Sequence, residues 1–491
     1  MTNPHFQLYI DGSFCEGAGG AVMHSQNPAD GKNWASFACS DKQDVERAVV
    51  AAKRALDNPT WRDMTQTARG KLLFKFADLI EQHAGRLGEL ETQDSGKLLA
   101  ETATQTKYVA DYYRYYAGLA DKVEGAVLPI DKPDMHVFTK RMPIGVVAAV
   151  VPWNAQMFLS ATKLGPALAA GCSVILKASE IAPIPMLEFA KLIDQVGFPD
   201  GVVSVITGDA ENCSIPLTRH PQVDRIAFTG GPETARHVVR NSAENFAVTT
   251  LELGGKSPIL VFEDADLDSA ANGLIAANFG ASGQSCVAGS RGLIHRSILP
   301  DLIARIKDKA SGIVVGDPLN SATHVGPLCT GAQIDRIVDT LDKAQSQGAI
   351  IHFGGAPLER DGNYMAPTLV ECASEDTETL HIEMFGPVMS LIPFDTEEEA
   401  IMMANNSQFG LGSGVFTQNI ARAHRVSDRI RSGICWVNTY RAISPIAPFG
   451  GFNQSGYGRE AGQDAILDYT RTKTTWINTS DVPMQNPFVM R

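Results

Sequence analysis

The sequence predicts an α/β protein built on a doubly wound parallel sheet, with a second α/β unit after it. Three observations carry that prediction. Runs of β-branched and small apolar residues recur at 144–151, 173–177, 202–207, 224–229 and 248–253, with helical stretches between them. The first, Ile144 to Val151, has no polar residue on either face, as a parallel strand covered by helices on both sides requires. Ser257 to Phe262 then opens another series that runs to about residue 460.

The bulk properties fit this class. A chain of 491 residues exceeds what one hydrophobic core usually supports. The expected division is a first domain from 1–120 with 143–253, a second from 254–468, and an extended arm from 121–142 with 469–491. A net charge of −13 argues against a nucleic-acid partner, which needs a basic face. No segment approaches the ~18 uninterrupted apolar residues of a membrane span. The start, Met1-Thr-Asn-Pro-His-Phe, lacks a signal-peptide pattern, so a cytoplasmic location is expected. The eight cysteines are scattered without C-x-x-C or zinc-type spacing. No metal is expected, and seven of the eight read as ordinary thiols.

Taken in order, Gln7 to Phe14 reads as a hairpin with Asp11-Gly12 at its turn. From Asp44 to Leu56 the apolar positions 45, 48, 49, 52 and 56 have helical spacing, and helical character continues to about residue 120. Residues 121–142 carry Gly125, Pro129 and Pro133 among β-type residues, which predicts an extended arm. A helix to Ala170 follows the first buried strand, and another spans Ile181 to Val196. The tail, Tyr469 to Asn478, is strand-like with no partner nearby in sequence. In such a sheet, ligands sit at the carboxyl ends of the strands.

Three residues at or near those ends supply what covalent chemistry on a carbonyl needs. Cys286 lies in Phe279-Gly-Ala-Ser-Gly-Gln-Ser-Cys-Val-Ala-Gly, where small neighbours leave its sulfur approachable. Glu252 stands between Leu251 and Leu253 at the end of a buried strand, where burial raises a carboxyl pKa and suits a general base. Asn154 follows Pro152-Trp153, where a side-chain amide can donate to an oxyanion or cap a helix. Four further runs stand at strand ends or in loops: Lys177-Ala-Ser-Glu180, Phe228-Thr-Gly-Gly-Pro-Glu233, Glu383-Met-Phe-Gly-Pro-Val388 and Pro448-Phe-Gly-Gly-Phe-Asn-Gln-Ser-Gly-Tyr-Gly-Arg-Glu460. Gly456 to Ala461 also fits the spacing G-x-G-x-x-A, but it follows no clear hydrophobic strand and reads as coincidence.

Over essentially its whole length the chain resembles the aldehyde dehydrogenase superfamily, the hydrolytic type that does not acylate CoA. The match rests on Pro152-Trp-Asn154, Leu251-Glu-Leu-Gly-Gly-Lys256 and Gly283-Gln-Ser-Cys286, in that chain order. The resemblance implies a Rossmann-type cofactor domain, an α/β catalytic domain and a small β arm for oligomerisation as a homodimer or homotetramer. It makes Cys286 the nucleophile, Asn154 an oxyanion donor with the Cys286 amide, and Glu252 the base that activates the hydrolytic water. It assigns cofactor contacts to Val151, Pro152, Trp153, Lys177, Ser179, Glu180, Thr229, Gly230, Gly231, Leu253, Gly254, Glu383 and Phe385. The cofactor implied is NAD, with NADP as the alternative, because Glu180 would repel a 2′-phosphate. Lys163 and Glu460 are candidates for a proton path.

The aldehyde tunnel would be lined by Ala155, Leu159, Thr162, Gly280, Arg441 and Phe449. Several of these are small where relatives carry aromatics, so the expected substrate is bulky or ring-bearing. Three departures from the family pattern stand out: Gly231 for a serine, Ala235 for a glycine and Asn453 for a lysine. Two enzymatic rivals are a CoA-acylating dehydrogenase and a reductive NADPH enzyme. A third rival is a retired binding or structural protein with this fold.

Overall fold

A computed structural model describes residues 3–484 and 486–489. Its largest sheet has eight strands, in the order Gly456–Tyr457, Val248–Glu252, Arg225–Thr229, Val146–Val150, Ser173–Ala178, Val203–Thr207, Leu8–Ile10 and Ser13–Cys15. The five central strands are parallel and coincide with the expected runs, Ser173–Ala178 extending one residue beyond its run. Val146–Val150 lies between Arg225–Thr229 and Ser173–Ala178, so the strand order reverses beside it. That reversal leaves a crevice at the carboxyl ends, the place where such sheets bind ligands.

Both ends of this sheet come from distant sequence. The hairpin of residues 8–15 docks antiparallel on Val203–Thr207 at one end. At the other, Gly456–Tyr457 pairs antiparallel with Leu251 and Glu252. The run that mimics a dinucleotide fingerprint is therefore an edge strand. It hydrogen-bonds the residues flanking the predicted base.

Helix Gln156–Ala170 starts immediately after the Pro152–Asn154 run, and every residue in it is buried. Such a helix is apolar on all sides because it is sandwiched between the sheet and an outer helical layer. It ends at Gly171 in the left-handed region, φ 92°. The outer layer includes Gln66–Gln82, Ala84–Ser95 and Leu99–Leu119. The helix Lys42–Asp57 begins with a reciprocal cap: Asp41 accepts from the Gln43 and Asp44 amides, and Asp44 accepts from the Asp41 amide.

The second series forms a seven-stranded sheet, in the order Ile350–Phe353, Thr368–Glu371, Val388–Phe394, Arg291–His295, Pro258–Val261, Gly412–Phe416 and Ile434–Val437. All its pairings are parallel except that of Ile350–Phe353. The tail strand Thr470–Asn478 finds its partner in Met135–Pro143, antiparallel along its whole length, with Val127 bridging to Phe138 on the other side. This two-stranded ribbon keeps Trp476, Ile477 and Val127 exposed. Residues 485, 490 and 491 of the expected arm lie outside the described residues. No described helix is long and apolar enough to cross a membrane.

Candidate active site

Cys286 is carried by a loop under backbone strain. After helix Leu267–Phe279 the chain turns through Ala281 and Ser282, both left-handed at φ 53°. Two consecutive non-glycine residues there cost roughly 1–2 kcal/mol each and need external support. The support is specific. Glu101 Oε1 accepts from the Ala281 amide at 2.8 Å, and Ser282 Oγ donates to the Gly326 carbonyl at 3.0 Å while accepting from its amide at 3.1 Å. Gln284 Oε1 accepts from the Cys329 amide at 2.9 Å, and the Gln284 carbonyl receives Asn154 Nδ2 at 3.0 Å. Asn154 is thus oriented by the loop that carries Cys286. It does not cap the following helix, whose N-cap is Ala155 without a side-chain bond.

Cys286 and Asn154 share one wall of a cavity of about 240 Å³. Ala155, Leu159, Arg441 and Phe449 line it as expected. The cavity also takes in Lys97, Glu101, Gln105, Phe158 and Ile443, which sequence motifs did not indicate. These come mostly from the outer helical layer, where nothing local marks a residue as facing a site. Two expected lining residues need correction. Thr162 sits deeper along its helix and donates instead to Glu460 Oε2 at 2.7 Å. Gly280 lies behind the lining, because a Cβ there would come within 2.5 Å of Arg441 Nη1. The room left by this glycine is filled by the guanidinium.

The thiol of Cys286 is pushed up to about 12, first by burial and then by the charges of Glu383 and Glu252, with Arg441 pulling the other way. Glu252 is buried, and neither of its carboxyl oxygens has a hydrogen-bond partner within the protein. Burial, then Glu460, drives its pKa well above the usual carboxylate range, against a downward pull from Lys163 and Arg459. A carboxyl so placed has both oxygens free to hold a water. Gly450 permits this placement, since a Cβ there would lie 2.8 Å from Glu252 Oε1.

Lys163 and Glu460 form a buried ion pair at 2.5 Å, and Lys163 Nζ also donates to Thr229 Oγ1 at 2.6 Å. Thr229 faces a second cavity of about 530 Å³ at the strand ends. Of the expected cofactor contacts, Val151, Pro152, Trp153, Lys177, Ser179, Glu180, Thr229, Gly230 and Gly231 line it.

The fit to a dinucleotide can be tested on this cavity. Helix Pro232–Asn245 points its N-terminus into it with Gly231 as N-cap and no side-chain capping bond. A Cβ at Gly231 would meet nothing within 4 Å, so the first-turn amides are accessible. That is an anion site suited to a pyrophosphate. Lys177 donates to Glu180 Oε2 at 2.6 Å beside it. The residues present fit the group.

The remaining cofactor candidates lie around this cavity. Glu383 accepts from the Gly255 amide at 2.9 Å, and its carboxyl is raised to about 7, chiefly by burial. Gly254 leaves room for the Glu383 carboxyl, which a Cβ there would displace. Phe385, at φ 46°, packs edge-on to Trp153 with ring centroids 5.4 Å apart. Leu253 departs from expectation: it lines a separate cleft against Pro232–Asn245 together with Leu251, two residues earlier and so on the same face of the chain. Among the described residues no cluster of His, Cys, Asp or Glu could hold a metal ion.

Comparison with known proteins gives a consistent picture. Residues 14–475 match the family described as the aldehyde dehydrogenase family. The chain is 55% identical over 487 residues to (Z)-2-((N-methylformamido)methylene)-5-hydroxybutyrolactone dehydrogenase of Acinetobacter baylyi, covering 99% of each chain. It is similar to crystalline PnpE from Pseudomonas sp. WBC-3, with 40% identity, a TM-score of 0.94, and 99% and 100% of the two chains covered. It is also similar to betaine aldehyde dehydrogenase of Staphylococcus aureus solved with NAD+, at 34% identity and TM-score 0.96, with 99% and 97% covered.

Proposed function

From the premise that the chain belongs to the aldehyde dehydrogenase family, we propose that it uses Cys286, Asn154 and Glu252 for the NAD-dependent oxidation of an aldehyde to its acid. The observation that carries this reading is the shared wall: a nucleophile and an amide face one cavity, and a partnerless buried carboxyl bears on the same thiol.

Glu252, as the carboxylate, takes the Cys286 thiol proton and passes it on to Glu460 and Lys163, and the sulfur then bonds to the carbonyl carbon. Asn154 Nδ2, with the Cys286 amide, donates to the oxygen that becomes negative. One such donor is worth about 2.7–4 kcal/mol. Bound NAD would supply the hydride acceptor for that carbon, and Cys286 would then carry the acyl group as a thioester. Glu252 then takes a proton from water, the resulting hydroxide attacks the thioester carbon, and the thiolate leaves as the acid forms. The proton on Glu252 has a route outward through Glu460 and Lys163, which are paired beside it.

Val151, Pro152, Trp153, Lys177, Ser179, Glu180, Thr229, Gly230 and Gly231 would hold the cofactor, with Glu383 and Phe385 at its nicotinamide end. Glu180 supports NAD over NADP. Retained Glu252 disfavours the CoA-acylating rival, which has no use for a water-activating base. For the substrate, a ring-bearing aldehyde fits best; the similar Acinetobacter enzyme is named for a lactone ring. The residue ranges 1–120 with 143–253, and 254–468, would serve as the cofactor and catalytic halves. Pairing of the exposed ribbon of 135–143 and 470–478 with a second copy would give a homodimer or homotetramer, since uncovered edges are liabilities. The eight free cysteines accord with a reducing, cytoplasmic compartment.

The test is NADH formation from a panel of aliphatic, ring-bearing and acid-bearing aldehydes, with NAD and NADP in parallel and no CoA. Turnover that disappears in Cys286→Ala is expected. Turnover that appears only on adding CoA would move the assignment to acyl transfer.

A further inference from the structure

The wall of the Cys286 cavity away from the cofactor is not apolar. Arg441 lines it, with Nη1 donating to the Ala276 carbonyl at 3.3 Å. Among the described residues no carboxylate comes within ion-pair distance of this guanidinium. Its remaining N–H groups are unspent, and its charge pulls the Cys286 thiol pKa down. Arg441 itself sits in the left-handed region at φ 63°, and the flat surface of Gly280 lets the guanidinium lie against the Cys286 loop. A non-glycine residue held at positive φ is placed by its surroundings and not by its own preference.

A second cation, Lys97, is buried in the same wall and directs Nζ to Gln105 Oε1 at 2.7 Å and to Glu91 Oε1 at 3.4 Å. The acid on this wall is Glu101. Its Oε1 is committed to the Ala281 amide, whereas its Oε2 is buried with no partner. The wall therefore offers an uncompensated cation and, apart from it, an unused acceptor. A hydrocarbon tail would leave the buried Glu101 Oε2 unsatisfied and would strip water from the half-buried guanidinium without replacing it.

We propose that the substrate is an aldehyde acid, whose carboxylate is received by Arg441, with Lys97 adding positive potential, while its carbonyl carbon faces Cys286. Where such a molecule also carries a hydroxyl or N–H, Glu101 Oε2 is the acceptor for it. Arginine suits this task because its planar fork matches a carboxylate in two parallel bonds. The inference rests on the aldehyde dehydrogenase reading above and narrows it. It also accounts for a small residue at position 280, which makes room for the guanidinium instead of for substrate.

The experiment compares 4-oxobutanoate with its methyl ester, which has nearly the same shape but no charge. Both are assayed with wild type, Arg441→Met and Arg441→Lys, with folding checked by thermal unfolding. In wild type the acid should have the higher kcat/KM, and added salt should raise KM for the acid more than for the ester. Arg441→Met should lower the acid-to-ester ratio of kcat/KM by about tenfold or more, mostly through KM, with partial recovery in Arg441→Lys. An acid-to-ester ratio near unity in wild type, or one that Arg441→Met leaves in place, would overturn the inference while leaving aldehyde oxidation standing. Wild type that oxidises no aldehyde of the wider panel would overturn the reading beneath it.

Discussion

At the scale of single residues, the site combines a suppressed nucleophile with an unsatisfied acid. The Cys286 thiol, raised to about 12 by burial and by Glu383 and Glu252, is almost wholly protonated at neutral pH in the cofactor-free protein. Its alkylation by iodoacetamide should climb close to tenfold per pH unit up to pH ~10 without a plateau, because thiolate is the reactive form. A plateau below pH 9 would show a thiolate stabilised by some other group. Glu252 has the opposite requirement, since it must lose a proton to act. Its pKa is raised, so the deacylation rate should increase with pH until Glu252 has ionised, and Glu252→Gln should remove that limb and lower steady-state turnover by about 10²–10⁴-fold. The identities of these residues were legible in the sequence through three short motifs. The lining of the substrate wall was not: Lys97, Glu101 and Gln105 lie next to or on a helix whose pattern reads only as amphipathic. Their convergence on Cys286 exists only after the helical layer packs.

At the scale of elements, strand ends and helix starts do the positioning. Helix Pro232–Asn245 enters the cofactor cavity uncapped, with open space around Gly231, whose φ of −76° any residue can adopt. Gly231→Ser should therefore be accepted without strain. It should stabilise the protein by only a few tenths of a kcal/mol as an N-cap, measured by thermal unfolding, and should tighten NAD rather than weaken it. A loss of NAD affinity would mean that the pyrophosphate needs the bare backbone. Asn453 occupies a left-handed position at φ 55°, which asparagine tolerates better than the lysine of the family pattern. The strained pair Ala281–Ser282 depends on Glu101, so Glu101→Ala should lower kcat more than it raises KM for a neutral aldehyde, through misplacement of Cys286 and Asn154. Central strands were legible because parallel strands buried on both faces write continuous apolar runs. The edge strand Gly456–Tyr457 was not, because a two-residue pairing with a strand two hundred residues away leaves no local trace.

At the scale of the whole molecule, the two sheets meet where the first sheet's carboxyl ends face the Cys286 loop. On the proposed reading, one side of this junction would receive the dinucleotide and the other the aldehyde. The Lys163–Glu460–Thr162 cluster lies behind both, linked to the cofactor cavity by Thr229 and to Glu252 by charge. The ribbon of 135–143 and 470–478 keeps Trp476 exposed, so on the proposed pairing of copies, removal of the chain from residue 470 onward should lower the particle mass measured by light scattering. An unchanged mass would contradict that pairing. The division into two α/β series was legible from the strand–helix alternation, and the arm from its prolines. The partner of the tail strand was hidden, since it lies more than three hundred residues earlier in the chain.

The most direct measurement is a single-turnover experiment on Glu252→Gln with NAD and a good aldehyde substrate, without CoA, followed by intact-protein mass and peptide mapping. The expected result is a stoichiometric burst of NADH, near-arrest of further turnover, and an acyl adduct on the peptide that contains Cys286. Continued turnover at the wild-type rate, or a burst with no adduct on Cys286, would contradict the account.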